Sequence, residues 1–270
     1  MLANRIVTLT SDFGLDDPFV GVMKGVILTI NPQANIIDLN HGVASHDIRE
    51  AAFTIGMNYP FFPERTVHMV IVDPGVGSRR RPILVVTERH YFIGPDNGVF
   101  SFIFKKEKQG LKVIHITADH YFLKLNSSTF QGRDMFAPVA SWLTLGKDYR
   151  NFGEPISDFV TLDLPMPKHR KGAVKGEIIH IDKFGNAMTN ISQAEITDLI
   201  NMRRDYTLSI FLKDKAVPLK EYYGEAKGKA LHAVINSSEY LEFFVNRANA
   251  AKSFRISIGD NVEMKITAQT

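Results

Sequence analysis

The chain contains no cysteine in 270 residues. That excludes disulfides, thiolate nucleophiles and cysteine-ligated metal, and it suits a reducing compartment or a hot organism. No apolar run approaches the roughly 18 residues needed to cross a bilayer, so no membrane segment is expected. Neither sign of charge dominates: 32 Lys and Arg stand against 29 Asp and Glu, a net +3. A nucleic-acid partner, which asks for a concentrated basic face, is therefore not expected. Met1 to Arg5 leads straight into a strand-like segment, without the apolar core or small-residue cleavage site of a signal peptide. The glycine-rich dinucleotide fingerprint, the Walker phosphate loop, the GxSxG elbow and the HExxH helix are all missing. Internal repeats and low-complexity tracts are missing as well. A soluble, cytoplasmic protein acting on a small molecule is the expectation.

What is present is an ordinary globular balance, 44% hydrophobic and 23% charged, at a length that supports one large or two smaller domains. The chain is organised around Val67 to Pro82. A β-branched apolar run ends in Asp73, a Pro74-Gly75-Val76-Gly77 turn follows, then Arg79, Arg80 and Arg81, and Ile83 to Val86 begins a second apolar run. In open α/β sheets, ligands bind in loops at the carboxyl ends of strands. Ile6 to Thr10 and Ile36 to Leu39 also read as strands. Phe19 to Ile30 has helical spacing at Val22, Met23, Val26, Ile27 and Ile30, with Asp17 as the expected N-cap and Pro18 at the first helical position. A second helix opens near Asp47, and another is expected over Val139 to Leu145. Asp12, Asp17, Asp73 and Asn97 all follow short apolar runs, so parallel strands would gather them on one rim.

Leu162 to Gly172 is rich in proline and basic residues and reads as a linker. Beyond it the segments are short and strand-like, with Gln193 to Asn201 as the one helical stretch. The expected organisation is an α/β amino-terminal domain with a largely parallel sheet over residues 1–165, a linker over 166–175, and a smaller, mostly-β, barrel-like carboxyl-terminal domain over 176–270. His41 and His46 share a loop with Asp38 and Asp47, but two loop histidines without a third ligand make a poor metal site. No metal and no cofactor are expected. A carboxylate at a strand end, such as Asp12, has the chemistry to accept hydrogen bonds from a ribose diol. The run Asp182 to Asn190 combines an acid, an aromatic ring and amides, a set able to hold an ammonium group and stack on a planar ring.

Five motifs occur in order: Thr10-Ser11-Asp12-Phe13-Gly14 with Asp17; Val72-Asp73-Pro74-Gly75-Val76-Gly77 with Arg80-Arg81-Pro82; Gly94-Pro95-Asp96-Asn97-Gly98; Thr129-Phe130-Gln131-Gly132-Arg133-Asp134; and Asp182 through Asn190. Together with Asn236-Ser237 and Val245-Asn246, this set resembles the S-adenosyl-L-methionine hydroxide adenosyltransferases, or SAM hydrolases, a family related to fluorinases and chlorinases. The resemblance spans essentially the whole chain. It implies an α/β domain followed by a β-barrel-like domain, and a homotrimer whose ligand lies between the amino-terminal domain of one subunit and the carboxyl-terminal domain of the next. It also implies attack of water or hydroxide on the ribose C5′ of S-adenosyl-L-methionine, giving adenosine and L-methionine.

By the same resemblance, Asp12 would hold the ribose diol with Asp17 close by. Asp182 would meet the methionine amino group and Ser237 its carboxylate. Asn186, Asn246 and the backbone of Arg247 would face the adenine, and Phe184 would wall the pocket. Asn97 and Phe130 complete the substrate-binding set. The family's water-handling triad is Asp, Arg and His. Asp73 and Arg80 match the first two, and Gln131 stands where the family motif has His. An amide can orient a water but does not titrate near neutral pH. This substitution opens slowed hydrolysis, or capture of S-adenosyl-L-methionine or adenosine with little turnover, as alternatives; halide-dependent adenosyl transfer is a further one, although the retained Asp73-Pro74-Gly75 argues for water over halide.

Overall fold

A computed structural model describes residues 5–124, 128–201 and 206–268. The chain divides into two compact units, Met1–Leu164 and Pro165–Thr270. The first contains β1 (Ile6–Ser11), α1 (Phe19–Ile30), β2 (Asn35–Asn40), α2 (Ile48–Asn58), β3 (Val67–Ile71), β4 (Pro82–Val86), β5 (Tyr91–Pro95), α3 (Ser101–Lys106), β6 (Lys112–Ile116), α4 (Ala137–Thr144) and β7 (Gly153–Ile156). Its sheet runs in the order β2-β1-β3-β5-β4-β6-β7. The pairs β1–β2, β1–β3 and β3–β5 are parallel, whereas β4–β5, β4–β6 and β6–β7 are antiparallel. The sheet is thus mixed, and its parallel half is the one built from the strands that precede the acidic loops.

Both faces of this sheet are covered, which is why β3 is buried throughout, His68 included. Strand alternation sends Val67, Met69 and Ile71 into one core with Val20, Met23 and Ile27 of α1 and Ala140 and Leu143 of α4. Val70 joins the opposite core with Ala51 and Ile55 of α2 and Ile103 of α3. Asp47 caps α2 as its position suggests, accepting the Glu50 N–H at 2.9 Å. Asp17 does not cap α1. That helix begins at Phe19 behind Pro18, with no side-chain cap, and Asp17 is exposed in the preceding turn. The helix expected from Val139 starts earlier, because a π-helical turn, Gly132–Phe136, runs directly into α4.

The second unit contains β8 (Lys168–Arg170), β9 (Ala173–Ile181), β10 (Ala187–Ser192), α5 (Gln193–Asn201), β11 (Tyr206–Leu212), β12 (Lys215–Val217), β13 (His232–Ile235), β14 (Tyr240–Phe244), α6 (Ala250–Phe254) and β15 (Asn261–Ala268). The order is β12-β11-β15-β9-β10-β14-β13, with β8 on β9. The two ends of this sheet meet: the Ala233 N–H donates to the Pro218 carbonyl at 2.9 Å, and the Lys220 N–H donates to the Ala233 carbonyl at 2.8 Å. The sheet therefore curls into a nearly closed barrel, which removes most of its free edge. Ile178, Ala187, Ile191, Leu241, Phe243 and Met264 fill it. Residues 166–175, expected to link the units, carry a hairpin in which Lys168–Arg170 pairs with Ala173–Lys175. Its charged side chains sit on an exposed edge and give no hydrophobic alternation to read. The short α6 was not apparent in the sequence either, since five residues offer too little periodicity.

Candidate active site

Because β1, β3 and β5 are parallel neighbours, their carboxyl ends open onto the same rim. Asp12 follows β1, Asp73 follows β3 and Asn97 follows β5. The Asn97 side-chain amide donates to the Val72 carbonyl at 2.9 Å, tying two of these strand ends together. Asp12 accepts the His46 N–H at 2.8 Å, so its carboxylate is held from the β2–α2 loop.

The turn after Asp73 folds the chain back on itself. Val76 N–H donates to the Asp73 carbonyl and Ser78 N–H to the Gly75 carbonyl, while Gly77 adopts φ +78°. Ser78 Oγ then accepts the Arg80 N–H at 3.2 Å. This brings the Arg80 guanidinium against the Asp73 carboxylate in a bidentate pair, Nε to Oδ1 at 2.9 Å and Nη2 to Oδ2. Nη2 also donates to Oε1 of Gln131, the residue that opens the π-helical turn. Arg80 lies 5.6 Å from the centre of the Phe136 ring. Both charged side chains are about nine-tenths buried, Arg80 at 10% exposure and Asp73 at 6%. The remaining nitrogen, Nη1, is buried without a hydrogen-bond partner. A cationic donor left unsatisfied in the interior is costly unless something occupies the space in front of it.

Phe130 stands beside this centre. Its ring meets Phe13 and Phe19 nearly edge-on, at centroid distances of 6.0 and 5.4 Å, so the loops after β1 and before α4 share one aromatic wall. The other two arginines of the cluster go elsewhere. Arg79 is exposed. Arg81 is held by buried Asp96 at 2.7 and 2.9 Å and by Asp158 at 2.7 Å, and these side-chain bonds raise its pKa. Asp96 also accepts the Val160 N–H at 2.8 Å. Arg81 therefore anchors the end of the unit, leaving Arg80 alone to face the centre.

In the second unit, Asp182, Phe184, Asn186, Asn246 and Arg247 line one cavity of about 680 Å3 together with Tyr223, Phe244 and Asn249. Asp182 Oδ1 accepts the N–H groups of Phe184 and Asn186 at 2.9 and 2.7 Å, and Oδ2 accepts the Asn186 side-chain amide at 3.0 Å. Gly185 at φ +86° closes that turn so tightly against Asn249 that a Cβ would lie 2.1 Å from its side chain. Phe184 is thrust outward, 74% exposed. Asn246 is oriented by its side-chain amide, which donates to the Ala226 carbonyl at 2.6 Å. Ser237 is exposed on the turn between β13 and β14 and does not line this cavity.

Two framework residues here had no signal in the sequence. Glu242, buried on β14, accepts from the Tyr223 hydroxyl at 2.8 Å and the Asn236 amide at 2.9 Å. Burial raises its pKa, against the opposing pull of those two donors, and burial likewise raises that of Tyr223. The β13–β14 hairpin sets Asn236 beside Glu242, and the fold of the unit brings Tyr223 to them from outside that hairpin. Among the described residues no group of three or more His, Asp or Glu has a metal-binding arrangement. Both ring nitrogens of His41 are already engaged, by Ser11 and Asp38.

A mixed α/β unit with a buried Asp–Arg–amide centre at its strand ends, followed by a β-barrel unit with an acid- and amide-lined cavity, defines a two-unit architecture of small-molecule chemistry. The family model for the SAM hydroxide adenosyltransferase N-terminal domain matches residues 7–153, and that for the C-terminal domain matches residues 176–263. The chain belongs to this family. It is 35% identical, over 96% of its own length and 95% of the other's, to a protein from Methanocaldococcus jannaschii named (R)-S-adenosyl-L-methionine hydrolase. It is also similar to a fluorinase from an Actinoplanes species, at 27% identity over 95% of this chain and 96% of that one. A crystal structure of a conserved protein from Thermotoga maritima superposes with a TM-score of 0.87 at 32% identity, covering 96% of this chain and 99% of that one.

Proposed function

We propose that this protein hydrolyses S-adenosyl-L-methionine to adenosine and L-methionine, with Asp73, Arg80 and Gln131 as the water-handling centre. The observation that carries the reading is Arg80 itself. Asp73 and Gln131 fix its guanidinium from two sides, and its one free nitrogen is buried without a partner. A fixed cationic donor in a dry site is a place for a water with hydroxide character. The oxygen of hydroxide forms a bond to C5′ as the C5′–S bond breaks, giving the 5′-hydroxyl with no proton left to place, and the sulfur leaves as a neutral thioether with the electron pair. A sulfonium needs no acid to leave, so the reaction asks for neither cofactor nor metal. Attack by an anion on a cation also disperses charge in the transition state, which a dry pocket favours.

In this reading Asp12 holds the ribose diol, with Asp17, Asn97 and Phe130 around it. Asp182, Phe184 and Asn186 receive the amino acid and base, assisted by Ser237, Asn246 and Arg247. The active assembly is a homotrimer in which these two sets come from neighbouring subunits. Exposed apolar residues on each unit, Leu15 and Phe19 on the first and Phe184 on the second, support such an assembly. A cysteine-free chain is suited to the cytoplasm, and no helix among the described residues is long and apolar enough to cross a membrane.

The test is incubation of the pure protein with S-adenosyl-L-methionine and chromatography for adenosine. No adenosine above the buffer blank at high enzyme concentration removes the hydrolytic reading. Gln131 favours a second reading, capture of the ligand with slow turnover, because an amide accepts no proton at neutral pH. Calorimetry with recovery of intact ligand after hours supports capture. A 5′-halogenated product on addition of chloride or fluoride supports transfer to halide in place of water.

A further inference from the structure

A chain of side-chain contacts outside the centre ends on the loop that carries Asp12. Lys24 donates to Asp38 at 2.6 Å. His41 Nε2 lies 3.0 Å from the other Asp38 oxygen, and His41 Nδ1 lies 2.7 Å from Ser11 Oγ. A carboxylate is an acceptor only, so it fixes the proton of a neutral His41 on Nε2 and leaves Nδ1 to accept from the serine hydroxyl. Ser11 Oγ then presents a lone pair to the Phe13 N–H, 3.4 Å away. Asp12 is the residue between these two. The order Asp–His–Ser looks like a nucleophile relay, but Ser11 is completely buried at the end of β1, out of reach of any substrate. The relay's chemistry is spent on geometry.

The same loop grips Asp12 from a second side. The His41 carbonyl accepts the Gly14 N–H at 2.9 Å, and His46, at φ +68°, donates its N–H to Asp12 Oδ2 at 2.8 Å. The loop's far end is fixed as well. Ala44 N–H donates to Glu50 Oε2 at 2.9 Å and Asp47 N–H to the Ala44 carbonyl at 2.9 Å. Residues 11–14 and 41–46 are thus laced together across the Asp12 carboxylate.

We propose that His41 is a positioning residue that sets the Asp12 carboxylate for the vicinal diol of the substrate's ribose, acting through Ser11 and through its own loop. This rests on the ribose-binding role of Asp12 proposed above. A bidentate grip on a diol depends on carboxylate orientation, so losing the relay weakens ligands that have the diol and spares those that lack it.

Calorimetry of the full-length protein with adenosine and with 2′,3′-dideoxyadenosine tests this. Wild type should prefer adenosine. His41→Ala should lose that preference by roughly tenfold, the scale of one charge-assisted hydrogen bond, with affinity for the dideoxy compound unchanged. Asp38→Asn, which keeps the packing and releases the tautomer, should move the preference in the same direction and serves alone if His41→Ala does not fold. A preserved adenosine preference in the folded variants, or an equal loss for both ligands, overturns the proposal. Equal affinities in wild type overturn it together with the ribose role of Asp12. Failure of the wild type to hydrolyse S-adenosyl-L-methionine, with the ligand preference and its loss both observed, removes the reaction and leaves the relay standing.

Discussion

Arg80 donates through Nη2 to the side-chain oxygen of Gln131, 51 residues further along the chain. With one lone pair of its oxygen committed to Arg80, the Gln131 amide keeps one acceptor site and its N–H donors, but no group that takes up a proton near neutral pH. The centre therefore carries one carboxylate, Asp73, and that carboxylate is itself committed to Arg80.

Replacement of Gln131 separates positioning from proton transfer. Gln131→His is expected to raise kcat for adenosine formation, by up to about 10²-fold if the imidazole accepts a proton, and to add an inflection between pH 6 and 8 that wild type lacks. The readout is the pH profile of kcat. A rate and profile unchanged from wild type would sink the base role and leave residue 131 as a brace for Arg80.

The Asp73–Arg80 pair should be demanding in both stability and activity. Arg80→Ala leaves a buried carboxylate unpaired, at a cost of roughly 3 kcal/mol, and removes the free donor nitrogen. Urea unfolding and single-turnover kinetics should both register the loss. Arg79→Ala, on an exposed neighbour, should change neither by more than about 0.5 kcal/mol.

Acid should unfold the first unit through His68 and His90. Both are fully buried, 5.2 Å apart between ring centres, with His68 Nε2 and both nitrogens of His90 unpartnered. Burial first, and then the neighbouring His90, push His68 from 6.5 to about 3. Burial, and then Arg89, lower His90 against the opposing pull of Glu107 and Glu64. Between the folded and unfolded pKa values the unfolded chain binds more protons. Stability is therefore complete above about pH 6.5 and falls progressively as the pH drops toward 3, by a few kcal/mol in all. Tm measured from pH 7.5 to 4 should decline, and His68→Gln should flatten the decline. A Tm independent of pH over that range contradicts the assignment.

Gly185→Ala should disable the second unit's cavity. The new Cβ would fall 2.1 Å from the Asn249 side chain at a left-handed φ. Asn249 caps α6 by accepting the Lys252 N–H at 2.7 Å, so the clash reaches the helix. A loss of roughly 2 kcal/mol is expected, together with weaker adenosine binding by calorimetry.

The elements that could be read from the sequence are those whose signal is local. β3 and β4 announce themselves as apolar runs, α1 and α5 by their spacing, and α2 by Asp47. The Asp73-to-Arg80 turn was legible because the six residues between them, opening on Pro74-Gly75-Val76-Gly77, form a tight turn that keeps the acid near the arginines. Gln131 was connected to that turn only by the resemblance of its motif, since no local pattern reaches across 51 residues. Arg81 with Asp96 and Asp158, Glu242 with Tyr223, and His41 with Ser11 were not legible at all. Each joins residues whose nearness depends on strand order or barrel closure.

The sequence by itself determined that this is a cysteine-free, two-part chain of one family, with an acid–arginine turn at a strand end and an amide where the family motif has histidine. These are properties of residue type and short-range spacing. Only the tertiary structure decided that one nitrogen of Arg80 is left buried and free. It also decided that both ring nitrogens of His41 are engaged, by Ser11 and Asp38, next to the loop of Asp12. The physical reason is the same in each case. A side chain's role is set by which donors and acceptors surround it once water is excluded, and those neighbours come from distant parts of the chain.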